Sequence, residues 1–399
     1  MSGGHPPLTL HRRLGPGAVL RSGASADYHA IEIIDGEPHL VRGPMGMPGT
    51  RTEPGPGRPL LCLAHVTDLQ IADVQSPTRF EFLNRLFADP RYAQIVPVQR
   101  PQEALTVHTV DATVRTLNAV RCPATGQPPQ LAVTTGDAID NAQWNELQNF
   151  FALFDGGRTA PDSGGPRYEG VQALDWPDDI FWKPDGVATG GPDVFRREFG
   201  FPDHPGLLAR ALREFQAAGL AIPWLSCFGN HEALNQGVGV PTEGIARALT
   251  GDRKPRGLLD GFDHDQALEL FTLHPEVFMA GPSRTVTADP SRRVITRQEF
   301  VAAHFRPGLA PTGTASVSAT AGTAPPITSM TPRRCGSSRW TPPASPEARQ
   351  AAWTGTRRHG WRTGWRRSMR TTPPPTGVRC ARVTRTAWSC SSPITESTP

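Results

Sequence analysis

Pro223-Trp224-Leu225-Ser226-Cys227-Phe228-Gly229-Asn230-His231-Glu232 is a short apolar run that ends abruptly in Gly-Asn-His-Glu. It reads as a buried strand delivering polar side chains at its carboxyl end, the edge where α/β sheets place their sites. Two earlier stretches share the design. Residues 60–66 run into Thr67-Asp68-Leu69-Gln70, and residues 131–135 run into Gly136-Asp137-Ala138-Ile139-Asp140. Three strand ends tipped with Asp or Asn would present carboxylate and amide oxygens on rigid supports, which is what a hard cation needs.

Asp68-x-Gln70, Gly136-Asp137-x-x-Asp140 and Gly229-Asn230-His231-Glu232, in that order, resemble the calcineurin-like metallophosphoesterase superfamily. Asp68-Leu69-Gln70-Ile71-Ala72-Asp73-Val74-Gln75-Ser76-Pro77 looks like a bacterial subgroup with Asp-x-Gln in the first motif. The resemblance covers roughly residues 58–305, and the combination of motifs is specific where either alone would be weak. It implies an α/β fold of four layers, an α/β/β/α sandwich, here incomplete in its C-terminal half. It also implies two divalent metal ions (Mn²⁺, Fe²⁺/³⁺, Zn²⁺ or Mg²⁺) and hydrolysis of a small phosphoester by a metal-activated water.

By that resemblance Asp68 binds the first metal, Asp137 bridges both and Asn230 binds the second through its amide oxygen. His231 faces the phosphate, stabilising its equatorial oxygens or protonating the leaving group. Gln70 stands where the usual pattern has His, so it is either a weaker neutral ligand or a hydrogen-bonding neighbour of the ligands. Asp140 is expected to orient His231 rather than to bind metal. Asp73, Asn141 and Glu232 read as ordinary strand-end or helix-capping polars, and His65 as a core histidine. The later histidines of the superfamily are missing: the tail offers only His359 without a strand before it, and His264, His274 and His304 match no motif.

Residues 1–57 read as a hairpin followed by a Gly/Pro linker. The expected strands are 28–34 and 37–41 around Asp35-Gly36, which suits a type I′ turn. Helices are expected from Ser76-Pro77 through residue 87, over 103–120, over 142–154, over 205–219 and over 263–271. Thr296-x-x-Glu299 is a capping box opening one more. The 103–120 helix would return the chain to the 131–135 strand in a βαβ unit, making that pair parallel. The Gly/Pro/Asp-rich stretch 155–203 is a long insertion, either a lid or a surface elaboration packed by its own aromatics.

Residues 306–399 are a different material. They hold 14 of the 41 Lys+Arg but only 2 of the 37 Asp+Glu, a balance of +12 against −8 for the first 305 residues. With no Phe or Tyr, one Leu and five of the nine Trp, the segment lacks the aliphatic content for a core, and it reads as a disordered basic tail. The genetic code supplies a further reading, in which the tail is out of frame. One frame over, if the serines use TCN codons, the codons of residues 387–391 become five in succession with T at the centre, all apolar. The next three allow Ser-His-His.

No stretch approaches the ~20 apolar residues of a membrane span, and the first residues show no basic-then-apolar leader. The six cysteines include no C-x-x-C pair. The expectation is a cytoplasmic enzyme acting on a phosphoester without a membrane partner. Nucleic acid would be met only non-specifically, through the tail. The alternative is a non-catalytic fragment or a weak anion binder working through that tail.

Overall fold

The computed structural model describes residues 9, 11–37, 59–123 and 125–305. The tail from 306 and most of the linker lie outside the described residues, and with them the disorder and reading-frame expectations. The chain divides into two compact units, and every described residue belongs to the first.

At its N-terminus β1 (Arg12–Arg21) pairs antiparallel with β2 (Tyr28–Asp35). The described hairpin uses the strand before residues 28–35, and the expected strand over 37–41 lies, beyond residue 37, outside the described residues. Gly15-Pro16-Gly17 masked β1 in the sequence. The strand accommodates these residues as part of a two-stranded ribbon, with register shifts between Pro16 and Val19 and between Val19 and Arg21.

Next comes β3 (Leu63–Val66), followed by two 3₁₀ turns, Pro77–Arg79 and Glu81–Leu86, where one helix was expected. Phe80 between them has φ 54°, a left-handed residue that breaks the helix so that its ring can enter the core between Phe82, Phe271 and Phe278. Helix α1 (Thr106–Ala119) buries Val107, Val110 and Val114 on one stripe and delivers the chain to β4 (Leu131–Thr134). Helix α2 (Trp144–Asp155) buries Leu147, Phe150, Phe151 and Phe154, as its spacing required.

In the insertion, β5 (Arg158–Thr159) and α3 (Val194–Phe199) flank a loop that packs on itself. Val171, Trp176 and Phe181 form a small core of its own, as either a lid or a surface elaboration would have. The helix expected over 205–219 stops early: α4 is Leu207–Ala211, and Phe215 lies in β6 (Phe215–Gln216), paired with β5. The cause is that its apolar residues serve two cores. Leu208, Ala211 and Leu212 pack with Ala72, Val74 and Ala104, whereas Phe215 stacks on His108 at 4.8 Å.

Strand β7 (Trp224–Ser226) completes a parallel sheet of order β3-β4-β7. Both crossovers move the same way along the sheet, so right-handedness puts α1 and α2 on one face. That face carries Ala64, Ala132 and Trp224 into the main core, with Trp224 edge-on to Phe150 and Phe154.

The rest is α5 (Glu243–Thr250), the antiparallel pair of β8 (Arg253–Pro255) with β9 (Ser283–Thr285), α6 (Ala267–Leu273) between them, and α7 (Arg297–Ala303). Helix α7 starts in the expected capping box of Thr296 and Glu299. It ends with His304 Nε2 2.5 Å from Ser226 Oγ, closing over β7.

The opposite face of the sheet holds Leu63, Leu131, His65, Val133 and Leu225, and Leu63 and Leu225 remain 41% and 42% exposed. The strands were expected to be buried, as parallel sheets are on both faces. Among the described residues, helices cover one face only. The fold is α/β, and these residues do not assemble the second sheet of a sandwich.

Candidate functional site

Every candidate residue sits on a loop leaving the carboxyl end of the sheet, because parallel strands put all three loops at one edge. The loop after β3 runs alongside the loop after β4. Asp68 N donates to Gly136 O at 3.3 Å, and Gln70 N to Asp137 O at 2.9 Å. Asp68, Gln70 and Asp137 have φ of 54°, 45° and 55°. A non-glycine residue in that region costs on the order of 1–3 kcal/mol and persists only where its surroundings hold it. Strain at three candidate ligands marks this edge as a constrained site.

The constraint comes from Glu232. Its buried carboxylate accepts four backbone N–H groups: Asp137 at 3.0 Å and Gly229 at 2.7 Å on Oε2, Ala138 at 2.6 Å and Ile139 at 3.3 Å on Oε1. Burial pushes this carboxyl up, and the four donors push back. Gly136 and Gly229 let the two loops touch: a Cβ on Gly136 would stand 2.9 Å from Gly229 Cα, and one on Gly229 would overlap Asp137 Oδ1. Glu232 thus ties the β4 and β7 loops together, a role the strand-end reading missed. The signal was available in principle: two glycine turns meeting at an edge leave N–H groups that need an acceptor.

His231 N donates to Asp137 Oδ1 at 3.1 Å. Its Nδ1 lies 2.9 Å from the Asp140 carbonyl and 3.3 Å from Asp140 Oδ1, so Asp140 orients the ring as expected. Burial pulls the imidazolium down, but the Asp140 hydrogen bond and charge outweigh it, and the ring is pushed up to about 9. His231 Nε2 stands 3.4 Å from Gln70 Nε2. A neutral ring with its proton on Nδ1 accepts that amide N–H. A doubly protonated ring would meet the amide oxygen instead, so Gln70 serves either state by turning its amide.

Behind Asp140 lies Arg79, 1% exposed, donating to Asp140 Oδ2 at 2.5 Å and to Glu103 Oε2 at 2.7 Å. Burial would raise the Asp140 carboxyl, but the Arg79 guanidinium and the His231 hydrogen bond hold it well below the usual range. Sequence reasoning named neither Arg79 nor Glu103. Nothing in the local pattern around them distinguishes a buried ion pair from surface charge.

Asp73 is likewise no simple cap. It is buried against Arg292 Nε at 3.2 Å and accepts from Ser163, Asn145 and Gln143. Beside it, Glu146 accepts from Asp73 N at 2.9 Å and Asn141 N at 2.8 Å. Burial first, then the Asp140 charge, pushes Glu146 up from 4.5 to about 8. A folded-state pKa above the unfolded one makes the folded protein hold the proton longer. Its contribution is therefore full below pH ~4.5 and is lost as pH rises towards about 8. Glu146→Gln cannot ionise, so although its NH₂ must face one of those two donors and lowers its starting stability, it should stay flat where the parent loses on the order of a few kcal/mol between pH 5 and 8. Urea melts across that range check it, and parallel pH curves for the two proteins would refute the assignment.

Asp68 and Asn230 are exposed, Gln70, Asp137 and His231 half-buried, and Asp140 buried. Asn230 Nδ2 donates to Gly237 O at 3.1 Å, which turns its amide oxygen the other way. The oxygen donors on hand, from Asp68, Asp137, Gln70 and Asn230, suit one hard cation. Among the described residues no three His, Cys, Asp or Glu side chains gather into a metal-binding group. Comparison with family models, with curated proteins and with solved structures gives no match.

Proposed function

We propose that the chain carries the front of a metal-dependent phosphoester hydrolase site of the calcineurin-like metallophosphoesterase kind. The observation that supports this is the meeting of Asp68, Asp137 and Asn230 at three parallel strand ends, with left-handed backbone at Asp68, Gln70 and Asp137. The carboxylates of Asp68 and Asp137 and the amide oxygen of Asn230 would hold a hard cation such as Mn²⁺ or Mg²⁺. Such an ion, when bound, polarises a phosphoryl oxygen and makes water acidic enough to attack at neutral pH.

The protein's own groups do the rest. Asp140 holds His231 by Nδ1, which aims Nε2 at the mouth of the site beside Gln70, where it can donate to a phosphoester oxygen. Phosphoester hydrolysis asks mainly for such positioning and charge neutralisation. The complete domain in this proposal is the four-layer sandwich, to which the described residues contribute the β3-β4-β7 sheet and the half-exposed face of Leu63 and Leu225.

Titration with Mn²⁺, read by electron paramagnetic resonance of the free ion, tests the cation site without requiring turnover. One weakly bound Mn²⁺ per chain is expected, and Asp137→Ala should lose it. Binding that survives Asp137→Ala, or no binding by the parent, would overturn the assignment.

A further inference from the structure

Two cysteines lie at the opposite end of the sheet from the candidate site. Cys62 leads into β3 and Cys122 follows α1, roughly 60 positions apart in sequence. Cys62 O accepts from Gln130 N at 2.9 Å, extending the β3–β4 ladder beyond the Leu63–Leu131 pair. Cys122 N donates to Gln127 O and accepts through its own O from Gly126 N, both at 2.8 Å. That tight turn, with Gly126 at φ 69°, folds the chain after α1 back to the ladder. Cys62 shares a cavity of about 90 Å³ with Thr125, Gln127, Pro128 and Gln130 of the same turn. Both residues are thiols in this structure, and the Cys122 side chain lies near enough to that of Cys62 to act on its ionisation. Cys122 is 8% exposed.

We propose that Cys62 and Cys122 are an oxidative modification site, joined as a disulfide when an oxidised low-molecular-weight thiol such as glutathione disulfide is present. In the step one cysteine thiolate attacks a glutathione sulfur, forming a mixed disulfide and releasing one reduced glutathione. The second cysteine then displaces the other glutathione, so two thiols lose two protons and two electrons while one disulfide is reduced to two thiols.

The bond staples the start of β3 to the turn that feeds β4, a loop of roughly 60 residues. Burial pushes the Cys62 thiol up to about 11, and neighbouring Cys122 adds to that. Little thiolate is present at neutral pH, so exchange in the folded protein is slow. The staple is set while the chain folds, not switched rapidly afterwards. A persistent bond would place the protein in an oxidising compartment, against the cytoplasmic expectation.

The test refolds the full chain in glutathione redox buffer, alkylates remaining thiols, and maps peptides without reduction. A linked peptide containing Cys62 and Cys122 is expected, with exposed Cys227 recovered alkylated. The oxidised chain should melt roughly 5–10 °C above the reduced one. Cys122→Ser should lose both the linked peptide and the rise. Recovery of Cys62 and Cys122 as alkylated thiols, or each bonded to a different cysteine, would overturn the proposal. Because the map is made on the parent chain, it decides the matter even if the variant does not fold.

Discussion

Replacing Glu232 by alanine is expected to cost roughly 3–5 kcal/mol of stability, since it strips an acceptor from four backbone N–H groups at once. Ala138 and Ile139 are fully buried and have no water to turn to, while Asp137 and Gly229 are half-buried and regain part of the loss. The same change frees Asp137 to leave its left-handed backbone, so Mn²⁺ binding should fall with stability. Glutamine at this position should rescue little. Each carboxylate oxygen accepts two N–H groups, so whichever way the amide turns, its NH₂ faces two donors it cannot bond. A purely space-filling Glu232 would make the glutamine variant equal to the parent, and that outcome would remove the brace from this account. Urea unfolding gives the stabilities, and amide exchange at residues 137–139 and 229 shows whether the loops come loose.

The sheet and its loops were legible because the signal is local: an apolar run stopping at a polar cluster leaves few alternatives. Helix α2 was legible for the same reason, with Leu147, Phe150, Phe151 and Phe154 at helical spacing. The α7 start was too, since both halves of its capping box lie within four residues. The failures share another cause, that tertiary contacts overrode local pattern. Phe80 takes a left-handed backbone so that its ring can reach Phe271 and Phe278. Phe215 leaves an apparent helical stripe to pair with Thr159 and to stack on His108.

In the site, the motifs placed Asp68, Gln70, Asp137, Asp140, Asn230 and His231 on neighbouring loops. The supports were invisible. Arg79 and Glu103 matter through partners far along the chain and left no trace in the sequence, and Glu232 left only the indirect one of two glycine turns in need of an acceptor. The half-exposed Leu63 and Leu225 were invisible as well. A strand's apolar pattern announces that a face is to be buried, not whether the covering layer is present.

The chain as it stands is expected to hydrolyse an aryl phosphodiester barely, if at all, even with added Mn²⁺. A chain whose residues from about 306 onward are translated in the alternative frame is expected to gain metal-dependent turnover. The two-metal form of in-line attack on phosphorus, which the proposed function invokes, uses cations held at a spacing of ~3.5–4 Å. In the proposed site Asp68, Asp137 and two amide oxygens hold one ion, and among the described residues no group of three His, Cys, Asp or Glu side chains is gathered to hold another. With TCN serine codons the alternative frame would offer an apolar strand from the codons of residues 387–391, then codons compatible with His-His. The face of Leu63 and Leu225 offers a place for added structure to pack. In the re-read chain, Asp137→Ala should abolish turnover and His231→Ala should lower it by roughly 100-fold or more, the usual weight of a positioned acid. Robust Mn²⁺-dependent turnover by the original chain would mean that its ligand set suffices and that the tail needs no re-reading. If both chains bind Mn²⁺ and neither turns over, the substrate class is wrong. If the re-read chain is inactive and also binds no more metal than the original, the missing ligands are not encoded there.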